Sequence, residues 1–192
     1  MAAAPRRLLA AVLGVGLLAG AALAVYPAPR AADFRLNDAA GQAYTLDSFP
    51  PGTVVAIYFG YTTCLRACPV TLDSIGAALE ALGPDAAGVR AVFVDLDPDR
   101  GMPANTSLYL ESFGDGFLGL TGSTEALAEA TRAFAVRVER VQFSADPGDY
   151  AMTHLSPIFV VRPEDPRPAV LPATSPPDAI ETALRAALRP PA

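Results

Sequence analysis

Two cysteines and one histidine are the residues of this chain best equipped for chemistry. Cys64 and Cys68 are the only cysteines, and His154 is the only histidine, among 192 residues. The cysteines, separated by three residues in Cys64-Leu65-Arg66-Ala67-Cys68-Pro69, lie between an apolar run and a helix-like segment. At a helix start, free backbone N–H groups and the helix dipole favour an anion, so this position lowers a thiol's pKa. Arg66 adds to the effect if its side chain turns inward, and is otherwise an ordinary solvent-facing arginine. One helical turn apart, the two sulfurs can share a ligand or close a disulfide. As pure structure such a short loop gains little from a cross-link.

His154 stands in Met152-Thr153-His154-Leu155-Ser156, read as the loop that feeds a strand over Ser156–Val161. Such a loop can bring the imidazole over the helix start. Two thiolates and one imidazole make a soft, low-coordinate set suited to copper, with zinc, which usually wants a fourth ligand, as the alternative. Met152 is a further soft candidate, weighed against plain core packing. Asp95, Asp97 and Asp99 alternate at a strand end and read as a solvated turn rather than a hard-metal site. No phosphate-binding glycine loop is present, and nothing around His154 completes a hydrolase triad.

The elements that must position these residues alternate between strand and helix. Phe34–Leu36 and Ala43–Leu46 flank a turn and read as a hairpin. Thr53–Phe59 and Val89–Leu96 are continuous β-branched and aromatic runs that fit strands buried on both faces. Helices are expected over Pro69–Leu82, Ala104–Phe113, Ser123–Phe134 with Ser123 as N-cap, and Pro176–Leu188. Phe117–Leu120 is a short strand, Val136–Phe143 alternates weakly, Ser144–Tyr150 is a loop, and Ala169–Leu171 pairs as an edge hairpin. This order implies an α/β sandwich with a mixed sheet.

The N-terminus reads as a targeting or anchoring device. Arg6 and Arg7 precede Leu8–Tyr26, nineteen uncharged residues ending at Pro27, close to the length that crosses about 30 Å of hydrocarbon. Ala22-Leu23-Ala24 offers a signal-peptide cleavage site, but the length favours an uncleaved anchor with its positive end in the cytoplasm. Residues 1–30 are therefore set apart from a single domain over 31–192. Either way that domain is exported, where two nearby thiols oxidise or are kept reduced for a purpose. All fourteen basic residues are arginine; eleven of them, against all twenty acidic residues, leave the body from residue 31 at −9. A field of that sign repels nucleic acid.

Phe59-Gly60-Tyr61-Thr62-Thr63-Cys64, then Cys68-Pro69-Val70-Thr71-Leu72, then Phe93-Val94-Asp95-Leu96-Asp97-Pro98-Asp99-Arg100, then His154, closely resemble the Sco/SenC family. The resemblance runs in order from about Phe34 to Val161. It implies a thioredoxin-like fold, a mixed sheet flanked by helices with a hairpin at its N-terminus and another inserted, tethered by an N-terminal helix to the inner membrane and facing the periplasm. It further implies copper handling for the CuA centre of cytochrome c oxidase, with Cys64 and Cys68 as thiolate ligands and His154 as the imidazole ligand. The implied partners are the oxidase subunit that carries CuA and a thiol–disulfide reductant protein. Thiol–disulfide reduction through Cys64 and Cys68 is the alternative activity, and a peroxidase is disfavoured for want of its motif. The chain departs from the family's pattern at Leu65 and Arg66, where proline and an acid are usual, at Thr153, where aspartate commonly precedes the histidine, and at Gly101.

Overall fold

Asp38 turns the chain back on itself. Its carboxylate accepts hydrogen bonds from the backbone N–H groups of Ala40 and Gln42, both at 2.9 Å, and sets β1 (Leu36–Asn37) antiparallel to β2 (Ala43–Tyr44). The computed structural model describes residues 33–100 and 103–189. The anchor or signal over residues 1–30, the linker to Ala32 and the departure at Gly101 lie outside the described residues. Among those described, no helix is long and apolar enough to cross a membrane.

The apolar runs form the central strands. β3 (Val54–Gly60) is buried at every position, and β4 (Val89–Asp95) at all but Arg90. Between them α1 (Ala67–Leu82) makes a crossover, which is why β3 and β4 pair in parallel. α2 (Pro103–Leu110) continues as a short 3-10 turn to Phe113 and leads to β5 (Phe117–Leu120), parallel to β4. α3 (Thr124–Ala133) starts as expected at Ser123, whose side chain accepts from the Ala126 N–H.

A hairpin of β6 (Arg137–Gln142) and β7 (Tyr150–Leu155) follows, then β8 (Ile158–Arg162), β9 (Asp165–Leu171) and α4 (Pro177–Leu188). The main sheet runs β5-β4-β3-β8-β9, parallel through β3 and antiparallel from β8 onward, so it is mixed as the alternation implies. β6 and β7 pair only with each other. The segment read as a loop up to Tyr150 thus ends one residue earlier, and the loop expected to carry His154 is a strand.

Strand periodicity sorts the core into two layers. Val55, Ile57 and Phe59 face α3 with Phe34, Leu127 and Phe134. Val54, Ala56 and Tyr58 face the other way, with Leu72 and Ile75 of α1 and Ile180 and Leu184 of α4. Tyr58 and the N-terminal turn of α1 therefore share one side of the sheet.

Candidate metal centre

β3 ends at Gly60, and Tyr61–Arg66 carry the chain over the sheet edge into α1. A Cβ on Gly60 would come within 2.7 Å of the Phe93 ring and 3.1 Å of Cys68 Sγ. Only a glycine leaves room there for the sulfur. The first turn of α1 has no side-chain cap from Arg66. Cys64 fills that role, its Sγ accepting from the Cys68 N–H at 3.4 Å.

The two thiols differ in environment. Cys64 is half-buried; burial works to raise its pKa, but N–H groups of Cys68 and Arg66 pointed at its sulfur outweigh this and leave the thiol below its ordinary value. Cys68 is fully buried, and burial pushes its thiol up to about 12. The helix-start argument therefore holds for Cys64 and is corrected for Cys68, because desolvation at the deeper position outweighs the dipole. Arg66 is exposed, so its backbone rather than an inward-turned guanidinium serves the site. No disulfide joins Cys64 and Cys68 in this structure.

His154 reaches this pair from β7. Its Nε2 lies 3.6 Å from Cys68 Sγ, with the rings of Tyr61 and Tyr58 edge-on at centroid distances of 5.7 and 6.2 Å. Burial lowers its pKa, so the ring is neutral near pH 7. The other ring nitrogen, Nδ1, is buried and has no hydrogen-bond partner among the described residues. Tyr58 donates its hydroxyl to Cys68 Sγ at 3.7 Å. Neither tyrosine stands out in the sequence, because aromatic residues in a buried strand and its edge read simply as core.

Two sulfurs and a neutral imidazole are soft donors, which fits a soft metal ion. Among the described residues, however, no three His, Cys, Asp or Glu side chains form a finished metal cage. Cys64 Sγ accepts from the Cys68 N–H, and Cys68 Sγ meets His154 Nε2, so Cys68 links the other two donors.

Asp95 and Asp97 do not belong to this set, nor to a solvated turn. Both are buried, at 0% and 2% exposure. Asp95 accepts from the Thr106 hydroxyl at 2.9 Å and the Asp97 N–H at 3.1 Å, and burial raises its pKa to about 6. Asp97 accepts from Tyr150 and Arg100. The alternating acids are a bracing network, hidden from sequence reading because their partners lie far along the chain. Met152 packs against the α3-side core, in keeping with the packing reading.

A sequence profile of SCO1/SenC matches residues 25–189. The chain belongs to the SCO1/SenC family. Among curated SCO1/SenC-type relatives, an SCO2-like protein of Rickettsia conorii is 32% identical over 129 residues, covering 67% of this chain and 62% of that protein. The mouse mitochondrial SCO2 homologue is 36% identical over 138 residues, covering 69% of this chain and 52% of that protein. The chain thus spans between half and two thirds of these relatives. Copper-bound ScoI of Bradyrhizobium japonicum is 33% identical with a TM-score of 0.70, covering 80% of this chain and 96% of that one. The expected thioredoxin-like mixed sheet flanked by helices is thereby borne out.

Proposed function

We propose that this SCO1/SenC protein is a copper metallochaperone that holds Cu(I) on Cys64, Cys68 and His154 and delivers it to the CuA centre of cytochrome c oxidase. The observation that carries the reading is the contact of Cys68 Sγ with His154 Nε2 at 3.6 Å, which brings together the two donor types from segments 86 positions apart. Copper in the structurally similar ScoI supports the choice of metal. Cu(I) prefers soft ligands at low coordination, and three donors leave room for an incoming partner thiolate to displace one of them. No electron moves in that exchange. In this reading Leu8–Tyr26 tethers the domain to the inner membrane on the periplasmic side, where the oxidase subunit bearing CuA receives the ion.

The asymmetry of the thiols favours a second reading, a thiol–disulfide reductase. The lowered Cys64 thiolate attacks a partner disulfide, forming a mixed disulfide and expelling one partner thiolate; Cys68 then displaces the other sulfur. The partner gains two electrons, Cys64 and Cys68 become a disulfide, and an external dithiol must reset them.

An anaerobic Cu(I) titration of the reduced protein against a competing chelator separates the two. One equivalent held tightly, and lost in Cys64→Ser and Cys68→Ser, is the expected result. Failure to compete while both thiols remain reduced overturns the metallochaperone reading in favour of the reductase.

A further inference from the structure

The hairpin that carries His154 meets the domain through Met152 and His154 and is hydrogen-bonded to it at the Tyr150 end. β6 and β7 share no ladder with the five-stranded sheet. Clefts of about 420 and 750 Å³ run between the hairpin and α3, the first lined by Leu127, Val138 and Met152 and the second by Thr131, Val138 and His154. Met152 packs against the α3-side core between these clefts, and the four residues Arg137–Arg140 are exposed.

What grips the hairpin is the loop after β4. Tyr150, the first residue of β7, is buried, and its hydroxyl donates to Asp97 Oδ1 at 2.5 Å. Arg100 Nε donates to Asp97 Oδ2 at 2.6 Å, and Arg100 Nη1 to the Tyr150 carbonyl at 2.8 Å. The guanidinium carbons of Arg100 and Arg140 each lie 3.7 Å from the Tyr150 ring centroid. Two such groups cannot share one face at that distance, so the ring is clamped between them. Arg140, on β6, also pairs with Asp99 Oδ2 at 2.6 Å. Three residues of one loop, Asp97, Asp99 and Arg100, thus hold both strands.

Tyr150 and His154 are four residues apart on one strand, so they project from the same face about 13 Å apart. A strand fixed at one end by a clamp acts as a rigid arm toward the other. We propose that Tyr150, gripped by Asp97, Arg100 and Arg140, is the positioning residue of the metal centre, setting the seat of β7 so that His154 Nε2 meets Cys68. The inference rests on the copper reading above for its functional meaning, and on the clamp alone for its mechanics.

The test uses the full-length reduced protein and its Tyr150→Leu, His154→Ala and doubly substituted forms. Cu(I) affinity is read against a competing chelator. Tyr150→Leu is expected to lose about 3- to 10-fold, and to lose nothing further once His154 is already alanine, because the two residues act through one contact. An equal loss in both backgrounds, or none in either, overturns the proposal. If His154→Ala itself leaves affinity unchanged, the copper reading fails, and amide hydrogen exchange of the metal-free protein still decides the clamp. There Tyr150→Leu is expected to speed exchange across Thr153–Leu155 at least about 10-fold while β3 and α1 are unmoved. Unchanged exchange in β7 overturns it. Arg140→Gln, a surface change that removes one jaw, replaces Tyr150→Leu if that variant does not fold.

Discussion

Cys68 Sγ and His154 Nε2 lie 3.6 Å apart although 86 positions separate the two residues in sequence. Their meeting is a product of topology: β3 delivers the chain to Cys68, and the β6–β7 hairpin delivers the imidazole. His154→Ala should weaken Cu(I) binding at least about 10-fold, since loss of a mere outer-shell partner costs about 10–100-fold in metal affinity. Chelator competition measures it, and an unchanged affinity would remove His154 from the ligand set.

The two thiols should also be told apart by alkylation. The thiolate is the nucleophile, and Cys64 is the half-buried cysteine with the lowered pKa, whereas Cys68 is buried and pushed up to about 12. Iodoacetamide at pH 7 should modify Cys64 at least about tenfold faster, with a rate that climbs with pH and levels off above its pKa. Peptide mass spectrometry reads the order, and prior labelling of Cys68 contradicts it.

Asp95 predicts a pH-dependent stability. Its folded pKa, raised to about 6 from 3.8, means that the folded state holds this proton more tightly than the unfolded chain. The contribution is full below pH 3.8 and is lost as pH rises through about 6, amounting to about 3 kcal/mol at most. Asp95→Asn keeps an acceptor for its neighbours and cannot ionise. Urea midpoints from pH 4 to 7 should therefore fall more steeply for the wild type than for the variant; parallel slopes would refute the assignment.

Gly60→Ala should strain the junction from which Cys68 is presented. The added methyl meets Phe93 at 2.7 Å and Cys68 Sγ at 3.1 Å, and overpacking of this kind costs about 1–3 kcal/mol. Thermal unfolding gives the loss, and a melting temperature equal to wild type would show that the ring and sulfur yield freely.

The parts legible in the sequence were those whose signal is local. Thr53–Phe59 and Val89–Leu96 differ by one residue from β3 and β4, and Ser123 caps its helix, because burial on both faces and capping leave their mark on consecutive residues. The candidate donors Cys64, Cys68 and His154 stand out in the sequence by type, and the structure brings Cys68 and His154 together. The strand under His154 was not legible, since β7 pairs only with an exposed β6 and its residues Tyr150–Leu155 show no clean alternation. Asp97 was misread for a related reason: a buried carboxylate is recognised by its partners, and Tyr150 lies 53 positions away.

If Cys64, Cys68 and His154 hold Cu(I) as proposed, their spacing makes the response to copper a measure of the imidazole. Cys64 and Cys68 remain neighbours in any conformation of the chain, whereas His154 joins them only after folding. The unfolded protein is thus already a two-sulfur chelator, and ligand that binds both states stabilises only by the difference in affinity. The rise in melting temperature on adding Cu(I) will accordingly understate the affinity of the folded site, and what it does report is the share owed to the imidazole and to preorganisation.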